Sequence, residues 1–191
     1  MKNIGNFVDG KLSQAQSSNY ISLFKPTTGE EYAHVPITTN NEFQKIIEKM
    51  KVAQSIWAET PITKRSNILF KYKSLIEKNF DEIAKIISEE HGKVFSDAKG
   101  SLQRGLEVVD FACGIPHLLK GNHSINVGTN VDSYDIRQPL GICAGITPFN
   151  FPAMVPMWMF PLSIACGNAF MLKPSENCLL YTSPSPRDSS K

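Results

Sequence analysis

The sequence predicts an α/β protein organised on a parallel β-α-β crossover, and three observations carry that reading. Residues 141–147 and 169–172 are apolar runs of strand length, with an apolar stretch of helix length between them; that order is a parallel unit covered on both faces. The joints are sharp, because Pro148-Phe149-Asn150-Phe151-Pro152 follows the first run and Gly167-Asn168 precedes the second. Between residues 40 and 120 the apolar positions recur mainly at helical spacing. Open parallel sheets bind ligands at the carboxyl ends of their strands. Here Asn150 stands just past the first strand, and Lys173 and Glu176 just past the second.

Taken in order, Phe7-Val8 followed by Asp9-Gly10 reads as a strand and a hairpin turn. Residues 20–24 form a second short strand, Pro26-Thr27-Thr28-Gly29 a turn, and residues 31–37 a third strand. Thr38, Thr39 and Asn40 are N-cap residues with Glu42 behind them. Phe43, Ile46, Ile47, Met50, Ala53, Ile56 and Trp57 then give a helix its apolar stripe. Pro61 suits the first turn of the next helix, whose inner face is expected to hold Ile62, Ile68, Leu69, Tyr72, Leu75 and Ile76. Residues 79–81 interrupt, and a further helix through Ile83, Ile86 and Ile87 stops at His91-Gly92. Residues 95–120 read as one long helix, weakened at Gly100, Gly105 and Gly114 and broken near Pro116. Residues 121–135 are polar and rich in Gly, Asn and Ser, and 134–137 alternate. This is an exposed hairpin or arm, a device for pairing with another subunit's sheet edge.

Beyond the crossover, CLLYTSPSPRDSSK (178–191) is polar and Ser/Pro-rich, and its prolines forbid a regular element. It looks like translated linker sequence and takes no part in the fold argument. A two-stranded parallel sheet has open edges, so the chain is expected to be truncated.

Composition narrows the function classes. Of 191 residues 41% are hydrophobic and 20% charged, with a net charge of +2, ordinary for a soluble globular protein. Lys and Glu are interspersed, which argues against nucleic acid or an anionic membrane as partner. The four cysteines show no C-x-x-C spacing. Cys113, Cys143 and Cys166 lie in apolar context and are expected to be reduced packing residues. Residues 154–166 are very apolar but too short to span a bilayer, and contain Pro156 and Pro161. The opening MKNIGNFVDG has neither a signal core nor an Arg-rich transit pattern. The expectation is a cytoplasmic protein, or one of the mitochondrial matrix if a presequence precedes residue 1.

The polar residues at the strand ends admit more than one reading. A side-chain amide held at Asn150 can stabilise an oxyanion, or simply bond its own turn backbone. Lys173 and Glu176 can meet a ligand at the sheet edge or form a solvated surface pair. No G-x-G-x-x-G is present to indicate a dinucleotide.

Pro-Phe-Asn-Phe-Pro followed at this distance by Lys-Pro-Ser-Glu resembles the aldehyde dehydrogenase superfamily. Phe149, where that superfamily typically has tryptophan, with ICAGI before it and MWMFPLSIACGN after it, is similar to its CoA-acylating methylmalonate/malonate-semialdehyde dehydrogenases. The likeness runs from about residue 6 to 176 and includes NFVDGK, His91-Gly92-Lys93 and RGLEVVDFACGIPHLLKG. It implies an aldehyde-dehydrogenase-like fold: amino-terminal helices and small strands (1–120), an oligomerisation arm (121–139) and the first β-α-β of a Rossmann-like NAD-binding domain (140–176), with 177–191 outside it.

The same resemblance implies residue roles. Asn150 would hold the oxyanion of a thiohemiacetal, Thr147 and Phe149 would contact NAD, and Lys173 and Glu176 would bind the adenosine ribose. A carboxylate at Glu176 accepts from ribose hydroxyls and repels a 2′-phosphate, favouring NAD over NADP. Arg104 would hold the substrate carboxylate, a task suited to a guanidinium fork; by itself it reads as an exposed helix arginine. The implied reaction oxidises methylmalonate or malonate semialdehyde with loss of carbon dioxide to propionyl-CoA or acetyl-CoA, with CoA as co-substrate, in a homo-oligomer. The family's nucleophilic cysteine falls beyond residue 176 and Cys178 does not replace it, so the chain alone is expected to be inactive. Where the family continues Lys-Pro-Ser-Glu with arginine and proline, Asn177-Cys178 stand here. A non-acylating aldehyde dehydrogenase and a non-catalytic dinucleotide-binding or assembly module are the alternative readings.

Overall fold

The computed structural model describes residues 2–13, 17, 19–26 and 28–175. The amino-terminal part is a set of short strands: β1 (Lys2–Asn3), β2 (Asn6–Val8), β3 (Lys11–Ser13), β4 (Tyr20–Phe24) and β5 (Glu31–Pro36). Phe7-Val8 and the Asp9-Gly10 turn form the anticipated hairpin, with β2 antiparallel to β3 and positive φ at Asp9 (57°) and Gly10 (73°). A two-residue turn needs that backbone to match the twist of its strands. β4 pairs antiparallel with β5, and β1 adds to β5 in parallel, a strand too short to leave a pattern in sequence.

Four helices and a single-turn helix follow: α1 (Asn40–Ala58), α2 (Ile62–Lys78), α3 (Phe80–His91), α4 (Phe95–Cys113) and α5 (Ile115–Leu118). Thr39 caps α1 in a full capping box with Glu42, satisfying donors that the first helical turn leaves open. Gly92, at φ 68°, ends α3 in the left-handed conformation. The structure corrects several boundaries and faces. Pro61 sits at the N-cap of α2 rather than inside its first turn, and only Asn79 separates α2 from α3. The long helix ends at Cys113, and Pro116 belongs to the first turn of α5 instead of breaking α4. Ile68, Leu75, Phe43, Ala53 and Ile56, expected to face inward, are exposed.

Most of the core lies where α2, α3 and α4 meet the crossover helix. Ile76, Ala84, Ile87, Ala98, Leu102, Leu106 and Val109 pack with Met157 in one buried cluster, and Leu69, Ala112, Cys113, Ile115 and Ala165 in a second. Fully burying the Leu, Ile, Val and Met side chains among them contributes about 1.5–3 kcal/mol each, and the alanines less. Residues 121–135 form an exposed antiparallel hairpin, β6 (His123–Gly128) with β7 (Val131–Tyr134), as expected.

The crossover is present as β8 (Ile142–Ile146), α6 (Met154–Ala165) and β9 (Ala169–Lys173), the two strands parallel and in register from Ile142↔Ala169 to Ile146↔Lys173. Among the described residues it is covered on one face. Gly145 is buried, and a Cβ there would meet Phe170 and Met159 at 2.6 and 2.7 Å; that face lies under α6. Alternation sends Ala144 and Ile146 to the other side, where both are exposed, Ile146 by 75%. An apolar run shows that a strand can be buried twice, not that both covers are present.

Candidate functional site

The strand ends come together directly. The Thr147 amide donates to the Lys173 carbonyl at 3.1 Å, extending the β8–β9 ladder by one bond, and Thr147 is only 4% exposed. Lys173 is exposed at the close of β9 and Ser175, two residues on, is buried. Glu176 and Cys178 lie outside the described residues. After Thr147 the two prolines hold a bend in which Phe149 is half-buried and Asn150 exposed.

That loop is tied to the end of α3. The Lys93 ammonium donates to the Asn150 backbone carbonyl at 2.9 Å and lies 4.2 Å from the centre of the Phe151 ring. Gly92 turns the chain so that Lys93 leaves the helix toward the loop, and the Ser88 hydroxyl holds the Lys93 carbonyl at 2.7 Å. His91 packs beside them. Burial chiefly, and then the Lys93 charge, pulls its pKa from 6.5 to about 4, while the nearby His91 and Asn150 backbone act in the opposite sense. The imidazole is therefore neutral near pH 7, and Lys93 is the cation at this loop.

Arg104 stands on a different element. It is exposed on α4, and its carbonyl accepts from Trp158 Nε1 on α6 at 3.3 Å. The two helices approach closely at Gly105, where a Cβ would collide with the Met157 side chain and stand 3.2 Å from Met154 Cα. Since α6 begins at Met154, the loop carrying Asn150 leads straight into the helix against which Arg104 is mounted. Thr147 and Lys173 are thus joined through their backbones, the Asn150 loop is tied to Lys93, and Arg104 is linked through its own carbonyl to α6, the helix that this loop enters.

The far end of the crossover is a clamp that sequence reasoning missed. Arg65, 7% exposed, donates from Nε to the Ala165 carbonyl at 3.1 Å and from Nη1 to the Ala58 and Thr60 carbonyls at 3.2 and 2.9 Å. Trp57 Nε1 donates to Ile164 O and Gln54 Nε2 to Gly167 O. Asn168, also buried, accepts from the Gly141 amide and donates to Ser163 O. These bonds cap α6 and set where β9 starts. An arginine in an amphipathic helix gives no sequence signal of such burial. Burial pulls the Arg65 pKa below its ordinary value. At this same end, burial pushes up the Cys166 thiol, and it does so at Cys113 in the second core cluster. Neither is poised as a thiolate.

The sequence matches the aldehyde dehydrogenase family profile over residues 13–183. The chain belongs to the aldehyde dehydrogenase family. Among relatives of this aldehyde dehydrogenase chain, an Arabidopsis thaliana mitochondrial methylmalonate-semialdehyde dehydrogenase [acylating] is 48% identical over 91% of the chain and 28% of its own length. A Pseudomonas aeruginosa malonate-semialdehyde dehydrogenase is 48% identical over 92% of the chain and 35% of its own. A Sinorhizobium meliloti structure, named as a methylmalonate-semialdehyde dehydrogenase complexed with NAD, superposes with a TM-score of 0.89 at 47% identity, covering 92% of the chain and 36% of that structure. An Oceanimonas doudoroffii methylmalonate-semialdehyde dehydrogenase superposes at 0.88, again 47% identical, with 92% and 36% covered. The chain therefore spans about a third of the length of these relatives, and its fold is the corresponding portion of the aldehyde dehydrogenase fold.

Proposed function

We propose that this chain supplies the oxyanion donor and part of the NAD site of a CoA-acylating dehydrogenase that converts methylmalonate or malonate semialdehyde to propionyl-CoA or acetyl-CoA, NAD taking the hydride and the substrate carboxylate leaving as carbon dioxide. The observation that carries the reading is the joining of Thr147 to Lys173 at the strand ends, with the Asn150 loop fixed beside them by Lys93. The names of relatives 48% identical supply the substrate class.

The donor set suits a dinucleotide. Lys173 is exposed where β9 ends and is the group proposed to donate to ribose hydroxyls, with Glu176 accepting from them. Thr147 and Phe149 would line the cofactor's path along the end of β8. NAD, when bound, supplies the acceptor for the hydride that leaves the aldehyde carbon. Asn150 contributes an amide donor directed at the oxygen that gains negative charge, the interaction that a preorganised site makes stronger in the transition state than in the ground state. Arg104 would hold the substrate carboxylate, fixing which end of the semialdehyde faces Asn150.

The test is an assay of the enzyme at full family length with semialdehyde, NAD and CoA, following NADH and acyl-CoA together. The expected outcome is acyl-CoA formed in step with NADH, turnover that depends on CoA, and none from the 191-residue chain alone. Equal NADH production without CoA, giving the free acid, would favour a non-acylating dehydrogenase; turnover by the 191 residues would contradict the assignment of the nucleophile to a segment outside them.

A further inference from the structure

We propose that Lys93 is a positioning residue for Asn150, holding the peptide group that follows its Cα and so the place from which its side-chain amide projects. The proposal rests on the oxyanion reading of Asn150 given above. Its basis is that one ammonium engages two successive residues of the loop: the Asn150 carbonyl at 2.9 Å and the Phe151 ring at 4.2 Å. A carbonyl and the Cα it is bonded to belong to one rigid unit, because the peptide is planar. Fixing the oxygen of Asn150 and the ring beyond it fixes where the Asn150 Cα lies. With Thr147 held in the β8–β9 ladder on the other side, the short span between the two anchors restricts the rotation that would swing the Asn150 Cβ.

The anchor is itself held. Lys93 stands immediately after the left-handed Gly92, its own carbonyl accepts from the Ser88 hydroxyl at 2.7 Å, and α3, which carries Ser88, packs on α4 through the main core cluster. The tie joins residues 57 positions apart, coupling the loop to the helical part rather than only to its own crossover. A charge-assisted bond of this type is about twice as strong as a neutral one, and the ring contact adds a second attraction to the same ammonium. The two prolines set the bend of the loop, and the Lys93 tie is what holds Asn150, at its exposed tip, against turning away from a reacting carbonyl. Misplacing a catalytic donor by about 1 Å costs on the order of 100-fold in rate.

The experiment uses the full-length enzyme and compares Lys93→Met, Lys93→Arg and Lys93→Gln with Asn150→Ala and with the Lys93→Met/Asn150→Ala double variant. The expected result is a kcat lowered about 10- to 100-fold in Lys93→Met, with KM for the semialdehyde and Kd for NAD within about twofold of wild type. Lys93→Arg, which keeps charge and donor, recovers most of the loss, and Lys93→Gln falls between. In the Asn150→Ala background, Lys93→Met has no further effect. Wild-type kcat in Lys93→Met would overturn the proposal, and so would an equal loss in both backgrounds, which would make the effect general rather than directed through Asn150. Lys93→Gln against Lys93→Arg gives the same decision if Lys93→Met does not fold. Wild-type turnover by Asn150→Ala would instead overturn the oxyanion reading itself, and the positioning role with it.

Discussion

At the scale of single residues, the site depends on groups whose protonation the fold has settled. His91 has its pKa lowered from 6.5 to about 4 by burial and by the Lys93 charge. A histidine depressed on folding binds protons less readily in the native chain than in the unfolded one. Its contribution to stability is therefore fully present above pH 6.5, is lost as pH falls from 6.5 toward 4, and changes no further below that. The full span would carry about 3–4 kcal/mol, and solvent screening at a half-buried ring keeps the loss below that. Urea unfolding followed between pH 7 and 4 is expected to show that loss, and His91→Gln to flatten it; an unchanged slope in the variant would assign the titration to other groups. Arg65 and Lys93 show why such roles escape a reading of sequence. Both are cations in or beside amphipathic helices, and spacing cannot tell a solvated arginine from one that holds the Ala58, Thr60 and Ala165 carbonyls.

At the scale of elements, what was legible is what is encoded locally. The Asp9-Gly10 hairpin, the Thr39–Glu42 capping box, the Gly92 stop and the strand–helix–strand order of the crossover each follow from residues adjacent in sequence. The face that each helix buries was read less well, since a stripe of isoleucines does not reveal which of them meets a neighbour: Leu69 is 3% exposed and Leu75 59%. The glycines of α4 separate the same two kinds of information. Gly100 has open space around its missing Cβ, whereas Gly105 lies against Met157 and Met154. Gly100→Ala is expected to stabilise the chain by about 0.5–1 kcal/mol through helix propensity. Gly105→Ala gains the same term but meets backbone at 3.2 Å, where overpacking costs about 1–3 kcal/mol, so the net change is destabilising. Thermal unfolding midpoints moving in opposite directions would bear this out; a rise in both would mean that α4 and α6 separate easily.

At the scale of the whole molecule, the helices serve to hold both ends of a two-stranded sheet in place. Arg65, Trp57 and Gln54 fix the crossover where β9 begins, and Lys93 fixes it where β8 has ended, so the Asn150 loop is braced from α3 while the strands are braced from α1 and α2. The outer face of the sheet, with Ile146 75% exposed, shows that the sheet is only partly covered by the described residues. The central claim is that this bracing presents the Asn150 amide to a developing oxyanion. Single-turnover hydride transfer in the full-length enzyme, wild type against Asn150→Ala, tests it most directly. The account predicts a rate lowered about 100- to 1,000-fold with NAD affinity retained; hydride transfer at the wild-type rate would contradict it.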